Sequence, residues 1–235
     1  MRVSHKGALS GSEGRFIAGL AAIAIPLFVF GAIAQDVVEG EPFAFDKAAL
    51  LGLRQPGNPS VPIGPRWLPE AARDVTSLGS MTVLGIVLFG VAGYLLLERR
   101  RAAASWILAA VGGGVLLENG LKLLFLRPRP EIVPAAVQVF SASFPSGHAT
   151  MSAIAYLTLG VLLARTQETF GVRLYVMALA ILLTFAVGVS RIYLGVHYPS
   201  DVLAGWCIGA AWAALCWAAA IWLQGRGRGE ALRPH

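Results

Sequence analysis

The sequence predicts an all-α, polytopic membrane protein with six transmembrane helices. Of its 235 residues, 56% are hydrophobic and 14% are charged, and the mean hydropathy is +0.67, which is typical of a chain that lies mostly in lipid. The apolar residues form six long runs, several of them near the roughly 20 residues that cross a bilayer as a helix. These runs lack the alternation of apolar and polar residues that marks transmembrane strands, which favours helices.

The six runs give the order of the predicted helices along a single membrane domain of residues 1–235. The first run follows a basic start and ends in Ala32-Ile33-Ala34, so it imitates a signal peptide with its small-residue cleavage site. The run of 19 residues is longer than a usual signal core, which favours a retained helix. The predicted helices cover residues 16–34, 82–97, 102–126, 149–164, 174–189 and 202–223.

Residues 35–81 form the only sizeable segment outside the predicted helices. Five prolines and two glycines in residues 55–69 predict a turn-rich loop rather than a separate domain. The flanks, residues 43–53 and 67–78, mix apolar and charged residues, which is typical of short amphipathic helices at a membrane interface. Two interpretations stay open: a lid or lipid-facing collar, or a solvated connector with Trp67 as an interface anchor.

The basic residues beside the helix ends predict the orientation, because short loops rich in lysine and arginine stay on the cytoplasmic side. These residues fall in alternate segments, so we expect a cytoplasmic membrane protein with both termini inside. Residues 35–81, 127–148 and 190–201 are then expected on the outer face. The inner basic residues are Arg2, Lys6, Arg15, Arg99, Arg100, Arg101, Arg165, Arg173, Arg226, Arg228 and Arg233.

The positive charge does not indicate nucleic-acid binding. The net charge is +6, but the basic residues belong either to the orientation signal or to polar clusters in the membrane. The two cysteines, Cys207 and Cys216, lie about 13 Å apart along one predicted helix, which excludes a disulfide between them. We interpret them as packing residues.

The first polar cluster closes the third predicted helix with Lys122, Arg127 and Arg129. Cations at a helix end often extend to lipid headgroups. Here they lie at the outer end, against the positive-inside bias, and Lys122 lies about 6 Å inside Leu126. A lysine inside a membrane helix costs up to roughly 2.5–3.5 kcal/mol. We therefore expect an anionic ligand to compensate for it.

The second polar cluster, Ser146-Gly147-His148, immediately precedes the fourth predicted helix. Free N–H groups and the positive end of the helix dipole favour an anion there, and glycine lets the backbone approach a phosphate closely. Ser146 could simply cap the helix. Capping does not account for His148, so a functional role is favoured for this histidine.

The third polar cluster, Arg191, His197 and Asp201, brackets the start of the sixth predicted helix. If His197 and Asp201 share one helical face, their spacing lets the carboxylate hold one ring nitrogen and leave the other free as a nucleophile. The alternatives are a helix cap for Asp201 and an interfacial ring for His197. Because all three clusters fall on the predicted outer face, we expect one assembled site for a phosphate ester.

The three clusters together resemble the signature of the type 2 phosphatidic acid phosphatase superfamily. The resemblance rests on Lys122-x6-Arg129-Pro130, on Pro145-Ser146-Gly147-His148, and on Ser190-Arg191-x5-His197-x3-Asp201. Every motif position matches, in the right order, between residues 122 and 201. Residues 1–121 add only a weaker likeness, mainly Arg73-Asp74-Val75-Thr76.

The resemblance implies hydrolysis of a phosphate ester through a phosphohistidine, with no metal and no other cofactor. His197 would attack phosphorus, Asp201 would orient it, and His148 would protonate the leaving oxygen and then activate water. Arg127 is close enough in sequence to assist but is not a motif position. The phosphate oxygens would be held by Lys122, Arg129, Ser146, Gly147 and Arg191.

The resemblance also implies that the partners are the bilayer and a lipid phosphate substrate. Phosphatidate, phosphatidylglycerol phosphate, an isoprenyl diphosphate carrier such as undecaprenyl diphosphate, and a lipid A phosphate are all candidates. Vanadate is expected to inhibit as a phosphate mimic, since six membrane spans do not fit the related soluble vanadate peroxidases. Two alternatives remain: a lipid-to-lipid phosphotransferase with the same phosphohistidine, and a non-enzymatic anion or lipid transporter.

Overall fold

The computed structural model describes residues 11–40, 44–134 and 141–230, with ten elements of secondary structure. Arg2, Lys6 and Arg233, which the orientation prediction uses, lie outside these residues, as do residue 43 and residues 135–140. The helices are α1 (Gly11–Glu39), α2 (Ala44–Gly52), α3 (Leu68–Ser77), α4 (Met81–Leu97), α5 (Arg101–Phe125), α6 (Gly147–Ala164), α7 (Phe170–Tyr193) and α8 (Pro199–Glu230). The strands β1 (Arg54–Gln55) and β2 (Asn58–Pro62) pair as an antiparallel hairpin.

All six predicted membrane runs are helical, as α1 and α4 to α8. Five of these helices are long and apolar enough to cross a membrane alone. The helix α4 has 17 residues and passes the same test only together with α3, from which it is bent by 45°. The all-α membrane fold is therefore confirmed, with five single-helix candidate spans and a sixth if the bent pair α3 and α4 counts as one span.

The helix α6 lies at the centre of the bundle and packs against α4, α5, α7 and α8. Two glycines on α8 make its contact with α6 close. A Cβ atom at Gly205 would lie 2.9 Å from the Ser146 carbonyl oxygen, and one at Gly209 would lie 2.7 Å from that of Thr150. This contact brings the first turn of α8 against the first turn of α6, where the polar clusters meet.

The helix α1 packs against α8 mainly through its second half. Ile33 and Ala34 are buried there, and the Phe30 ring stacks on Phe144 with the centroids 5.7 Å apart. The helix continues through the small-residue sequence that imitates a cleavage site. Most of its earlier side chains are exposed, as expected for a surface that faces lipid.

The segment of residues 35–81 has more structure than its prolines indicate. Its two flanks are helical, as α2 and α3, but the middle forms the hairpin β1–β2. The turn is made possible by Gly57, whose φ of 79° suits a residue without Cβ. The segment packs on the bundle: Arg54 donates to the Tyr193 carbonyl oxygen at 3.0 Å, and the Tyr193 hydroxyl donates to that of Ile63 at 2.8 Å.

Candidate active site

A cavity of about 480 Å³ lies at the end of the bundle where α5 and α7 end and α6 begins. We call it the motif cavity, because it brings together the three polar clusters. Ser146 and Asp201 belong to these clusters but do not line the cavity, because both are fully buried. The residues that line the motif cavity are Thr76, Met81, Glu118, Asn119, Lys122, Arg129, Ser141, Gly147, His148, Met151, Arg191 and His197.

His197 and Asp201 are paired, although they do not share the helical face that the spacing would have allowed. His197 precedes α8, which begins at Pro199, so only Asp201 is helical. Asp201 Oδ2 accepts from the Tyr198 N–H at 3.0 Å and lies 3.5 Å from His197 Nδ1. The carboxylate therefore caps the helix and orients the histidine at the same time, through one turn of chain.

The neighbours of His197 define which ring nitrogen carries the proton. Arg129 Nη1 lies 3.1 Å from His197 Nε2, and a guanidinium can only donate, so Nε2 must accept. The ring proton then lies on Nδ1, facing Asp201 and the Ser143 hydroxyl, which is 3.4 Å away. Burial lowers the pKa of His197 to about 4, so the ring is neutral at pH 7.

Asp201 is held by more groups than the histidine alone. Ser143 donates to Oδ2 at 2.5 Å, and Arg127 Nη1 pairs with Oδ1 at 2.5 Å. The fully buried carboxylate keeps its charge because a guanidinium and several donors compensate for the loss of water. A fixed negative charge behind Nδ1 would stabilise any positive charge that the imidazole gains.

Arg127 does not line the motif cavity, in contrast to the assisting role that its sequence position allowed. It binds Asp201 and, through Nη2, Asp46 at 3.2 Å, and its guanidinium carbon lies 4.4 Å from the centre of the Tyr198 ring. Ser200 donates to Asp46 from its N–H at 2.8 Å and from its hydroxyl at 2.5 Å. Burial raises the pKa of Asp46, and these donors oppose that rise. The contact of Asp46 with Ser200 could not be predicted from the sequence, because 154 residues separate the two.

Arg129 is fixed by backbone oxygens rather than by an acid. Its Nε donates to the Ser141 carbonyl at 2.9 Å and its Nη1 to the Val196 carbonyl at 2.7 Å. Its Nη2 reaches the Ser141 hydroxyl at 3.2 Å. These neutral acceptors hold the guanidinium in place without cancelling its charge, as a site for an anion requires.

Lys122 has a close partner that the motifs do not include. Its Nζ lies 2.6 Å from Glu118 Oε1, one helical turn earlier, and both side chains are mostly buried. A Cβ at Gly147 would lie 2.5 Å from that oxygen and 3.0 Å from Nζ. The glycine therefore keeps space open beside the ion pair. The spacing of four residues between Glu118 and Lys122 is the sequence signal that could have revealed the pair.

Two polar atoms of the predicted phosphate-binding residues have no partner in the described part of the chain. Ser146 occupies the N-cap of α6, but its buried Oγ caps no N–H group. Arg191 donates from Nη1 to Thr76 at 3.1 Å, and its buried Nε makes no hydrogen bond. Buried polar groups are nearly always satisfied, so these two atoms are available for hydrogen bonds to a bound ligand.

His148 lies in the first turn of α6 on the wall of the motif cavity. The break between α3 and α4 packs against its backbone, since a Cβ at Gly79 would lie 3.2 Å from the His148 carbonyl oxygen. The residues described here contain no group of three or more His, Cys, Asp or Glu side chains that could hold a metal ion. His148 and His197 both line the motif cavity. The cations Lys122, Arg129 and Arg191 line it as well.

The fold and the cavity define a helical membrane protein with a buried histidine–aspartate pair beside a pocket lined by cationic side chains. The family model of the PAP2 superfamily matches residues 103–224. The chain belongs to this superfamily, and the resemblance inferred from the three motifs is confirmed.

Two curated relatives and one solved structure extend this result. The chain is 31% identical to phosphatidylglycerophosphatase B of Bacillus subtilis (strain 168), over 79% of this chain and 88% of that protein. It is 34% identical to decaprenylphosphoryl-5-phosphoribose phosphatase of Mycobacterium tuberculosis, over 59% of this chain and 73% of that protein. The crystal structure of a transmembrane PAP2 type phosphatidylglycerolphosphate phosphatase from Bacillus subtilis superposes with a TM-score of 0.70 and 25% identity, over 92% of this chain and 97% of that one.

Proposed function

We propose that this protein hydrolyses a lipid phosphate or lipid diphosphate through a phosphohistidine on His197, without a metal ion. The observation that carries the proposal is the state of His197. Its Nε2 accepts a hydrogen bond from Arg129, and its Nδ1 faces the buried Asp201. A neutral imidazole in this tautomer is a nucleophile, and the cations around it suit the phosphoryl group that it would attack.

In the first step, His197 Nε2 forms a bond to phosphorus while the bond from phosphorus to the lipid oxygen breaks. The imidazole gains positive charge, which Asp201 stabilises from the Nδ1 side. His148, on the wall of the same cavity, gives its proton to the departing oxygen, which leaves as an alcohol or a lipid monophosphate.

In the second step, the neutral His148 takes a proton from water, and the resulting hydroxide attacks phosphorus. The bond between phosphorus and nitrogen breaks, inorganic phosphate leaves, and both histidines return to their starting states. Lys122, Arg129 and Arg191 hold the nonbridging oxygens through both steps, because negative charge on these oxygens is what the site must stabilise. The backbone beside Gly147 and the Ser146 hydroxyl supply further donors.

Membership of the superfamily and the names of the relatives support a lipid phosphate as substrate. Both curated relatives are named as phosphatases of a phosphate attached to a lipid. The helices also expose large apolar side chains, such as Phe28, Phe89 and Leu116, each at least 70% exposed. A site at the end of such a bundle meets headgroups without extracting the lipid. The candidates remain phosphatidate, phosphatidylglycerol phosphate, an isoprenyl diphosphate and a lipid A phosphate.

The positive-inside pattern supports a motif cavity on the outer face of the cytoplasmic membrane, with both termini inside. Arg99, Arg100, Arg101 and Arg165 lie at the opposite end of the bundle from the cavity. A single cysteine at position 60, in a variant without Cys207 and Cys216, should react with a membrane-impermeant maleimide in intact cells. Protection of that cysteine until the cells are lysed would reverse the proposed orientation.

The experiment that tests the mechanism measures phosphate release by the purified protein in detergent with excess EDTA. Wild type is compared with His197→Ala across a panel of lipid monophosphates and diphosphates. His5→Ala, a change to a histidine outside the motifs, is the control. Turnover that survives EDTA and vanishes only in His197→Ala is the expected result, together with a phosphorylated histidine after rapid acid-free quenching.

Two outcomes would contradict the mechanism. Loss of wild-type activity in EDTA would mean that a metal takes part, and full activity of His197→Ala would mean that another group attacks. Phosphate that appears on a second lipid rather than in solution would replace hydrolysis by the phosphotransferase alternative.

A further inference from the structure

A second cavity, of about 580 Å³, lies at the opposite end of the bundle from the motif cavity. We call it the arginine cavity, because the link between α4 and α5, the first residue of α5 and the residue after α6 bring four arginines to its wall. No part of the proposed reaction uses it. The four arginines are Arg99, Arg100, Arg101 and Arg165, and Trp106 and Trp217 lie beside them on the wall.

Among the residues that the structure describes, the four guanidinium groups of the arginine cavity have no acidic partner. No ion pair within 4.0 Å joins any of them to a carboxylate in the described part of the chain. The N-terminus of α5 adds to this charge, because the N-cap residue Arg100 places no side chain on the free N–H groups of the first turn. The cavity therefore concentrates positive potential that nothing in its wall neutralises.

Two tryptophans give the arginine cavity a defined shape. The Arg165 guanidinium carbon lies 4.7 Å from the centre of the Trp217 ring, and Trp106 packs edge-on against Trp217 with the centroids 5.8 Å apart. Trp106 is itself fixed, since its Nε1 donates to the Cys216 carbonyl at 3.0 Å. A guanidinium stacked on a ring keeps its edge N–H groups free to bind a phosphate bidentately.

The arginine cavity opens beside surfaces that face lipid. Leu97 and Leu163, each two residues before a cavity arginine, are 85% and 51% exposed. Trp217 lies less than two turns before Leu223, where the apolar part of α8 ends. This depth corresponds to the headgroup region, where tryptophan rings and arginine side chains collect.

We propose that the arginine cavity binds the phosphate group of an anionic membrane lipid in the leaflet at that end of the protein. The orientation rule alone requires positive charge near the helix ends, but it requires neither a cavity nor a guanidinium group held on an aromatic ring, as that of Arg165 is. A lipid phosphodiester supplies the missing negative charge, and its acyl chains lie along the exposed leucines. Basic pockets between membrane helices are known to hold such headgroups.

The test is a titration of phosphatidylglycerol into the full-length protein in a neutral detergent, with bound lipids counted by native mass spectrometry. The variants are Arg101→Gln and Arg165→Gln, singly and together. The matched control is Arg173→Gln, which removes the same charge at the same end but outside the cavity, where Arg173 binds the Gln167 carbonyl. Phosphatidylcholine, with the same phosphodiester but no net charge, is the control lipid.

We expect wild type and Arg173→Gln to retain one phosphatidylglycerol in preference to phosphatidylcholine. Each cavity variant should raise the dissociation constant about fivefold, which corresponds to about 1 kcal/mol per arginine. Arg165→Lys should fall between wild type and Arg165→Gln, because it keeps the charge and loses the planar stack. This variant keeps the test decisive if Arg165→Gln does not fold.

Inorganic phosphate distinguishes a lipid from a soluble anion. It should displace the retained lipid only at concentrations far above that of the lipid, since it lacks acyl chains. Equal retention by wild type and the double variant would overturn the proposal. Displacement by inorganic phosphate as readily as by phosphatidylglycerol would overturn it as well, because the site would then bind free phosphate rather than lipid.

Discussion

The bundle has a cationic cavity at each end, and the two cavities differ in how their charges are held. In the motif cavity, Arg129 is tied to backbone oxygens, Lys122 to Glu118, and Asp201 lies behind the histidine. In the arginine cavity, the four arginines are exposed, and Arg165 lies over the Trp217 ring instead of beside an acid. Positive charge near lipid is thus sufficient to attract an anion, whereas chemistry on that anion requires charges fixed around a nucleophile.

The largest effect should come from removing the negative charge that only the motif cavity possesses. Asp201→Asn keeps the shape of the side chain and an acceptor for the Tyr198 N–H, but it no longer stabilises the cationic His197. We expect kcat to fall by about 10³- to 10⁴-fold, measured as phosphate release from the best lipid substrate. A loss of less than about tenfold, with an unchanged melting temperature, would mean that the pairing does not serve catalysis.

A smaller loss should follow when the support of Asp201 is weakened. Arg127→Lys keeps the charge but loses the fork that binds Asp201 and Asp46 together. We expect kcat to fall about 10- to 100-fold with little change in KM. Arg54→Lys is the matched control, since Arg54 is also buried and holds the same segment but contacts neither carboxylate. It should lower the melting temperature and leave kcat within about threefold, and equal losses of kcat would refute the positioning role.

The protonated fraction of His197 should be much smaller than that of an exposed histidine at mildly acidic pH. Because burial lowers the pKa of His197 to about 4, the ring should remain neutral at pH 5.5, where an exposed histidine is about 90% protonated. Nitrogen NMR of ¹⁵N-histidine-labelled protein, with His197→Asn to assign the signal, measures this directly. The spectrum should also show the proton on Nδ1. A His197 signal that titrates near pH 6.5 would contradict the burial and the tautomer.

The smallest predicted change concerns Glu118, the one acid on the wall of the motif cavity. Glu118→Gln leaves Lys122 without its counter-charge, so oxyanions should bind more tightly. We expect the inhibition constant of vanadate to fall about three- to tenfold, on the order of 1 kcal/mol. Glu131→Gln, at an exposed carboxylate that does not line the cavity, should leave the constant unchanged. Weaker inhibition of Glu118→Gln would mean that the acid orders Lys122 rather than competes with the phosphate.

The membrane helices and the motif residues could be predicted from the sequence because their signals are local. Apolar runs gave the spans, and the predicted helix ends placed Lys122, His148 and Arg191 at one end of the bundle. The support of the site could not be predicted, since the contacts of Arg127 with Asp201 and Asp46 join residues 74 and 81 positions apart. The hairpin β1–β2 was missed because its prolines argue against a strand and only tertiary packing favours it.

The buried contact of Asp46 with Ser200 and Arg127 has a consequence for how such enzymes can be recombined. The three motifs lie within residues 122–201, so a chimera that exchanges only that region contains every motif residue of the donor. The exchanged Arg127 and Ser200 would nevertheless meet a foreign α2, and their partner Asp46 would be lost unless the donor and the recipient share it. The candidate site therefore depends on α2 as well as on the motif region, and a functional chimera must transfer α2 together with residues 122–201.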